Sequence, residues 1–397
     1  MNVLFIVDGS LSNPILPSQG IPHIQENSKK GVNYSILSFE DNKLLSQNLE
    51  VKERYNYAFV ELKTHAKIYS VSTDMFARFR TFRFIIRGVI KAGKIVKENK
   101  IDIIHGRSNI PALIGLIIKK IYKVKVLYDN RGLLSDEINK QEKMRIKIEQ
   151  FFEKILLKGS DSVVVVSNAF KDYLNKKYYE YKLYNKISVI ENSFSEKRFF
   201  YSEQFRLEQR KVNKLENKFV MVYSGPSVNW QRFDLILETF KILKELKNNA
   251  YLLVISYDSE IEEIILKSGI EKQDFGVYNL PATEVNRYLV MGDFGVIYRD
   301  ERIRSKVCAP IKLGEYLASG LPILSMSSIG DTEVILNENK TGIIINDINE
   351  IKNRLKEIID LLQDSQIRIK CRISAEKYLS LKVASSKYLS IYRDIKN

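Results

Sequence analysis

Residues 219–246 read FVMVYSGPSVNWQRFDLILETFKILKEL, and they contain the repeating unit from which the rest of the chain is built. Residues 219–223 are a continuous apolar run. Ser224, Gly225, Pro226 and Ser227 are turn formers, and residues 233–246 space their apolar side chains at the helical period. The unit is therefore strand, turn, amphipathic helix. A strand without polar alternation is buried on both faces, as in a parallel sheet covered by helices.

The same unit recurs on either side. Upstream, apolar runs at residues 3–7, 101–105, 124–128, 162–166 and 187–190 alternate with helical spacing at 82–97 and 146–157. Downstream, strands are expected at 251–256, 277–280, 294–298 and 323–325, with a helix at 311–318 and further helices from 350 onward. Alternating strands and helices give an α/β chain with parallel sheets. Residues 195–218 are polar and charged, so they read as the break between two such halves. The expected division is an N-terminal domain over 1–197, a linker over 198–218, a C-terminal domain over 219–375, and a final helix over 376–397 that packs back on the first domain. Two doubly wound halves would present their strand-end loops to a common cleft.

A length of 397 residues suits two cores rather than one. With 45% apolar and 28% charged residues, the chain is globular rather than disordered. No apolar stretch approaches the ~20 residues of a membrane span, and the first apolar run is too short for a secretory signal. Two cysteines, Cys308 and Cys371, offer neither a disulfide framework nor metal-ligand spacing. These features point to a cytoplasmic protein. The net charge of +15 suits an anionic partner, although it fits equally the Ile/Lys/Asn-rich habit of the sequence.

The segment RSKVCAPIKLGEYLASGLPIL, residues 304–324, is a loop feeding a helix. Ser305, Pro310 and Lys312 precede or open that helix, and Glu315 stands one turn in. A helix N-terminus with free N–H groups and a positive dipole end suits a diphosphate. A carboxylate one turn on can accept from a ribose diol. By spacing alone, a plain helix with a solvated Glu315 fits as well.

This segment resembles the signature of glycosyltransferase family 4, retaining enzymes of the two-domain GT-B fold with an E-x7-E motif. Glu315 matches the second glutamate, the ribose ligand. Val307 occupies the place of the first, so the chain is closer to a variant, S-x-x-x-x-P-x-K-x-x-E-Y-x-A-x-G-x-P, from Ser305 to Pro322. Residues 223–234 resemble the family's glycine loop, with Gly225 at the tight turn and Arg232 at the basic position seven residues later. Pro226 replaces a basic residue often found after that glycine. The resemblance thus implies donor binding by Gly225, Arg232, Lys312, Glu315, Ser305 and Pro310.

In the first half the matches are shorter. Residues 18–22, around Gly20, resemble the loop after the first strand. His105 and Arg107 end a strand at the expected cleft rim. Asp129 and Arg131 sit in a D-x-R-G loop that other members replace with a histidine near the sugar. Asn192 matches one position of a P-N-G element. The resemblance implies an acceptor or cleft-rim role for Gly20, His105, Arg107, Arg131 and Asn192, and places Asp129 with Arg232 and Lys312 as catalytic.

The implied reaction moves a sugar from a nucleotide-diphosphate donor to a glycan or lipid-linked acceptor, with retention, in bacterial surface polysaccharide synthesis. Charge builds on the leaving diphosphate, and Arg232, Lys312 and the helix N-terminus would stabilise it. No D-x-D metal motif occurs in a suitable loop, so no metal or other cofactor is expected. A GT-B-like nucleotide-sugar epimerase would need paired carboxylates and histidines in the cleft, and the chain has three histidines in all. A non-catalytic nucleic-acid binder would fit +15, but no binding module is recognisable and no nucleic acid is expected as partner. Arg80, Arg83, Arg87, Lys91, Lys94 and Lys97 follow at steps of three or four along one helical stripe. Such a stripe without local acidic partners suits an anionic membrane surface, with Phe82, Ile85, Ile86, Val89, Gly93 and Val96 left to pack on the sheet.

Overall fold

The computed structural model describes residues 1–73, 80–138 and 141–397. The chain divides into two compact units. Unit 1 comprises Met1–Glu191 and Leu381–Asn397, and unit 2 comprises Asn192–Ser380.

Among the described residues, unit 1 forms a seven-stranded sheet from β1 (Asn2–Ile6), β2 (Asn33–Glu40), β3 (Ala66–Ser72), β4 (Ile103–Arg107), β5 (Lys125–Asn130), β6 (Ser162–Val165) and β7 (Ile187–Val189). The order is β3-β2-β1-β4-β5-β6-β7, and all pairings are parallel. Unit 2 forms a six-stranded sheet from β8 (Phe219–Ser224), β9 (Ala250–Ile255), β10 (Phe275–Tyr278), β11 (Phe294–Ile297), β12 (Ile323–Met326) and β13 (Gly342–Ile345). Its order is β10-β9-β8-β11-β12-β13, again all parallel. In each sheet the strand order reverses once, between β1 and β4 and between β8 and β11. Crevices at such reversals, beyond the strand carboxyl ends, are where open α/β sheets bind ligands.

The continuous apolar strands follow from burial on two sides. In β8, Val220 and Val222 join one core and Met221 and Tyr223 the other. Successive side chains of a strand face opposite ways, so a strand covered twice has no polar position to spare. The strands β2 and β3 escaped the sequence reading for opposite reasons. The first carries buried serines, Ser35 and Ser38, inside its apolar pattern. The second lies at the sheet edge and is largely half-exposed.

Two expected boundaries shift. Residues 198–218 are not a free linker. They include the helix Glu203–Val212, capped by Ser202, and they belong to unit 2. Arg206 and Arg210 reach Asp293 at 2.7 and 3.3 Å, and Leu215 enters the core. The segment looked like a linker because much of its anchorage is ionic. The final helix does return to unit 1, but it starts at Leu381 rather than 376. The preceding helix, Ile367–Leu379, is part of unit 2, with Phe194 N–H donating to Leu379 C=O at 2.9 Å. Among the described residues, no helix is long and apolar enough to cross a membrane.

Candidate active site

In unit 2 the chemistry gathers at the ends of β8 and β11. After β8 the chain turns at Gly225 with φ +145°, a conformation that strains any residue with a side chain. A Cβ there would stand 2.8 Å from Lys312 Nζ, 3.0 Å from Gln231 Oε1 and 3.1 Å from the Tyr223 hydroxyl. The missing side chain is what admits the lysine. Lys312 comes from the helix Ile311–Ala318, whose N-cap is Pro310. Pro310 lacks an N–H, and its fixed φ suits a helix entrance. Tyr316 on the same helix accepts a hydrogen bond from Ser224 N–H at 2.7 Å, which ties the helix to the end of β8.

Lys312 is buried and donates to Gln231 Oε1. Burial, followed by the nearby charge of Arg299, holds its ammonium well below the usual lysine range, and Glu315 opposes this. Glu315 lies one turn on, half-buried, and its carboxyl is raised by burial against the pull of Arg198 and Lys312.

Arg299, just past β11, was not foreseen. It is 7% exposed, and among the described residues its Nε and Nη1 find no hydrogen-bond partner. The guanidinium stacks on Trp230 at 4.6 Å. A buried donor without a partner is costly, and beside Lys312 it marks a place for an anion. Its only sequence signal was a basic residue directly after a strand at the point of reversal.

Two residues assigned to the donor, Arg232 and Ser305, and one assigned to the acceptor rim, Asn192, are engaged with partners of the protein itself. Arg232 has φ +49° and turns its guanidinium onto Asp234, at 2.9 to 3.2 Å through Nε and Nη2. Its own neighbour therefore satisfies it. Ser305 is buried and donates to Asp300, where Arg302 and Arg304 also converge at 3.4 Å. It braces the loop instead of facing a ligand. Asn192 belongs to unit 2 and donates to the Ala309 carbonyl at 2.6 Å, holding the residue before Pro310 rather than an acceptor.

In unit 1 a buried polar network fills the ends of β4 and β5. Asp129 is fully buried. Its carboxylate meets His105 Nε2 at 3.3 Å, Arg107 and Arg131 at 3.4 Å each, and the Tyr388 hydroxyl at 3.0 Å. Burial pushes this carboxyl up, but Arg131, His105 and Arg107 outweigh it and hold it well below the usual range. With no exposure and its oxygens shared among these partners, Asp129 is placed to orient the two arginines rather than to meet a substrate as expected of it. His105 is buried too, between Asp129 and the Tyr392 hydroxyl at 2.6 Å, and burial lowers its pKa despite Asp129. It belongs to the core and not to a rim.

Arg107 and Arg131 do reach the surface. With Asp8, Asn13 and Ser108 they line a pocket of about 200 Å³ at the carboxyl ends of β1, β4 and β5. Gly106 makes this possible, since a Cβ there would lie 2.4 Å from the Ala112 backbone and push away the helix Asn109–Ile121. The Asp8 carboxyl, raised by loss of water contact and pulled back by Ser108 and Arg107, is the acid on this wall that sequence reasoning passed over as a turn residue. Gly20 has φ −128°, and a Cβ there would meet Leu16 Cδ1 at 2.4 Å. It is a buried packing glycine between two short helices, not the acceptor-rim residue expected.

Known proteins place this arrangement. Residues 25–198 match the model described as Glycosyltransferase Family 4, and residues 235–366 match that of the Glucosyltransferase 3-like C-terminal domain. A glucosyltransferase 3 from Streptococcus parasanguinis is 27% identical over 124 residues, 30% of this chain and 34% of the relative. A chitobiosyldiphosphodolichol beta-mannosyltransferase of Candida albicans is 22% identical over 70% of this chain and 65% of its own length. The chain thus spans about a third and just under two thirds of these relatives. Among solved structures, a glycosyltransferase from Rickettsia africae ESF-5 superposes with a TM-score of 0.72 at 20% identity, over 99% of this chain and 98% of the other. HepE of Anabaena, in complex with UDP-glucose, gives 0.68 at 13% identity over 99% and 100%. At these identities the structural likeness speaks for the GT-B fold alone.

Proposed function

We propose that this chain, which belongs to glycosyltransferase family 4, moves a sugar from a nucleotide-diphosphate donor to a glycan or lipid-linked acceptor. One observation carries the reading. Two buried cations, Lys312 and Arg299, lie within electrostatic reach of one another at the strand reversal of unit 2, and among the described residues neither hydrogen-bonds a carboxylate. Like charges brought together out of water need an anion. A diphosphate fits, with the first N–H groups of the helix Ile311–Ala318 as further donors and Glu315 placed for the ribose diol.

The chemistry follows from that placement. As the bond from the anomeric carbon to the diphosphate oxygen breaks, negative charge grows on the diphosphate. Lys312 and Arg299 stabilise it more in the transition state than before it. This fixed charge supports transfer without a metal ion. Retention of configuration, with the leaving diphosphate accepting the acceptor's proton, rests on the family resemblance, as does a role in surface polysaccharide assembly.

Differential scanning fluorimetry against UDP, GDP, ADP and their sugars tests the reading, with UDP-glucose first because the Anabaena protein binds it. A ligand at 100 times its Kd stabilises by about 2.7 kcal/mol. A flat response to every nucleotide would overturn the donor site. Free nucleoside diphosphate appearing only with an acceptor present separates transfer from epimerisation.

A further inference from the structure

The helix Lys143–Gly159 is oriented against expectation. Glu153, Leu156 and Leu157 are its buried residues. On the far side, Met144, Ile148, Phe151 and Ile155 stand 72%, 46%, 61% and 37% exposed. At 3.6 residues per turn these four share one narrow stripe. A surface helix ordinarily sends its apolar stripe inward. Single exposed apolar residues need no explanation, but a continuous row does. Lys147, Lys154 and Lys158, all exposed, flank the row on one side.

A second helix of unit 1 repeats the pattern. On Arg80–Asn99, Phe82, Ile86 and Ile90 follow at steps of four, 64%, 42% and 69% exposed, beside exposed Arg83 and Arg87. Phe82 and Ile86, expected on the packed face, lie outside it, and Phe84, Gly88, Ala92 and Ile95 occupy that face. Nor is the basic stripe without local partners. In fact Arg87 donates to Ser72 C=O at 2.7 Å, Lys91 lies over the Tyr69 ring at 5.4 Å, and Lys94 pairs with Glu98 at 3.7 Å. The Arg80 side chain lies outside the described residues. Both helices pack on the one between them, Asn109–Ile121, so the two rows belong to one helical layer.

Charge identifies the occupant. Unit 1 holds 36 Lys and Arg against 21 Asp and Glu and so carries the whole +15, while unit 2 holds 27 of each. A second copy would set like charge against like. Apolar rows on convex helices, bordered by lysine and arginine, match instead the boundary between headgroups and acyl chains of an anionic bilayer.

We propose that the helices Arg80–Asn99 and Lys143–Gly159 dock unit 1 on an anionic lipid surface, with Ile148 and Phe151 entering the acyl boundary and Arg83 and Arg87 meeting the headgroups. This goes beyond the transfer reaction and stands without it. The test is co-sedimentation of the full chain with phosphatidylglycerol or phosphatidylcholine vesicles at low and high salt. The wild type should bind phosphatidylglycerol at least tenfold more tightly than phosphatidylcholine, and salt should weaken it. Ile148→Asp/Phe151→Asp and Arg83→Glu/Arg87→Glu should each reduce binding at least tenfold with unchanged nucleotide response, the first of them with unchanged Tm as well. Equal binding to both lipids, absence of binding, or full binding by the Ile148/Phe151 variant would overturn the proposal. So would a concentration-dependent dimer in sedimentation velocity that the same substitutions abolish. A lost nucleotide response with lipid binding intact would count against the donor site alone.

Discussion

The Nζ of Lys312 lies 4.3 Å from the centroid of the Tyr223 ring. The ring face and the Gln231 carbonyl oxygen are what the fold offers this buried cation, and neither carries a full negative charge. Burial, followed by the charge of Arg299, holds its pKa low in the free protein, and Glu315 offsets only part of this. An arriving diphosphate raises it again, because an opposite charge favours the protonated form. Binding must then take up a proton over the pH range between the two values, and affinity must fall as pH rises through it. Calorimetry of nucleoside diphosphate binding, run from neutral to mildly alkaline pH in buffers of different ionisation enthalpy, reads this directly. Apparent enthalpies independent of buffer throughout that range would remove Lys312 from the diphosphate.

Arg299 and Arg232 exchange the roles their sequence positions suggest. The Arg299 guanidinium keeps donors free, and the Arg232 guanidinium is occupied by Asp234. Arg299→Ala should cost binding or turnover roughly 1.5–3 kcal/mol, the range for hydrogen bonds to charged groups. It should lower the melting midpoint little, since among the described residues no carboxylate loses a hydrogen bond with it. Arg232→Ala should change kcat/KM by less than threefold. The reverse ranking of the two variants would restore Arg232 to the site.

Glu315→Gln keeps size and shape but loses the charge proposed to meet the ribose diol. Donor affinity should fall by roughly 1.5–3 kcal/mol, with the fold intact. The variant should also relieve a burial penalty, because the Glu315 carboxyl is already pushed up by its surroundings. Unaltered donor affinity by calorimetry would leave Glu315 with no part in binding.

The layered α/β architecture was legible because doubly covered strands leave a mark in composition. Residues 219–223 admit no polar side chain in the interior of β8. The helix Ile311–Ala318, with Lys312 and Glu315 on it, was equally legible, since its cap, its basic opening and its terminal Gly320 are local. What escaped depends on pairings made across the fold. Arg232 could not be seen to spend its charge on Asp234, nor Ser305 on Asp300. Asp129 looked catalytic because a loop carboxylate beside arginines reads the same whether it faces solvent or lies sealed. Arg299 looked ordinary because an unsatisfied donor is a property of its surroundings. The rows on Arg80–Asn99 and Lys143–Gly159 showed apolar period but not which side the sheet would take.

Asp129 separates a structural from a catalytic reading most sharply. Its carboxylate is the common partner of Arg107 and Arg131, both largely buried at 12% and 13% side-chain exposure. Asp129→Asn leaves two guanidinium groups facing one another without it, and removing one member of a buried ionic cluster costs about 3–5 kcal/mol. The pH dependence has a definite sign. The folded-state pKa lies below the unfolded value of roughly 3.9. The carboxylate's contribution is therefore complete above the unfolded value and is lost as pH falls through the folded one. The gap in stability between wild type and Asp129→Asn should accordingly be large at neutral pH and shrink in acid. Removing Arg107 as well should recover part of the neutral-pH loss, since the two arginines then no longer repel each other. Urea unfolding of the wild type, the single variant and the Asp129→Asn/Arg107→Gln double variant, at neutral pH and near pH 3, gives all three comparisons. A neutral-pH cost below about 1 kcal/mol, together with abolished turnover, would return Asp129 to the chemistry and take it out of the scaffold.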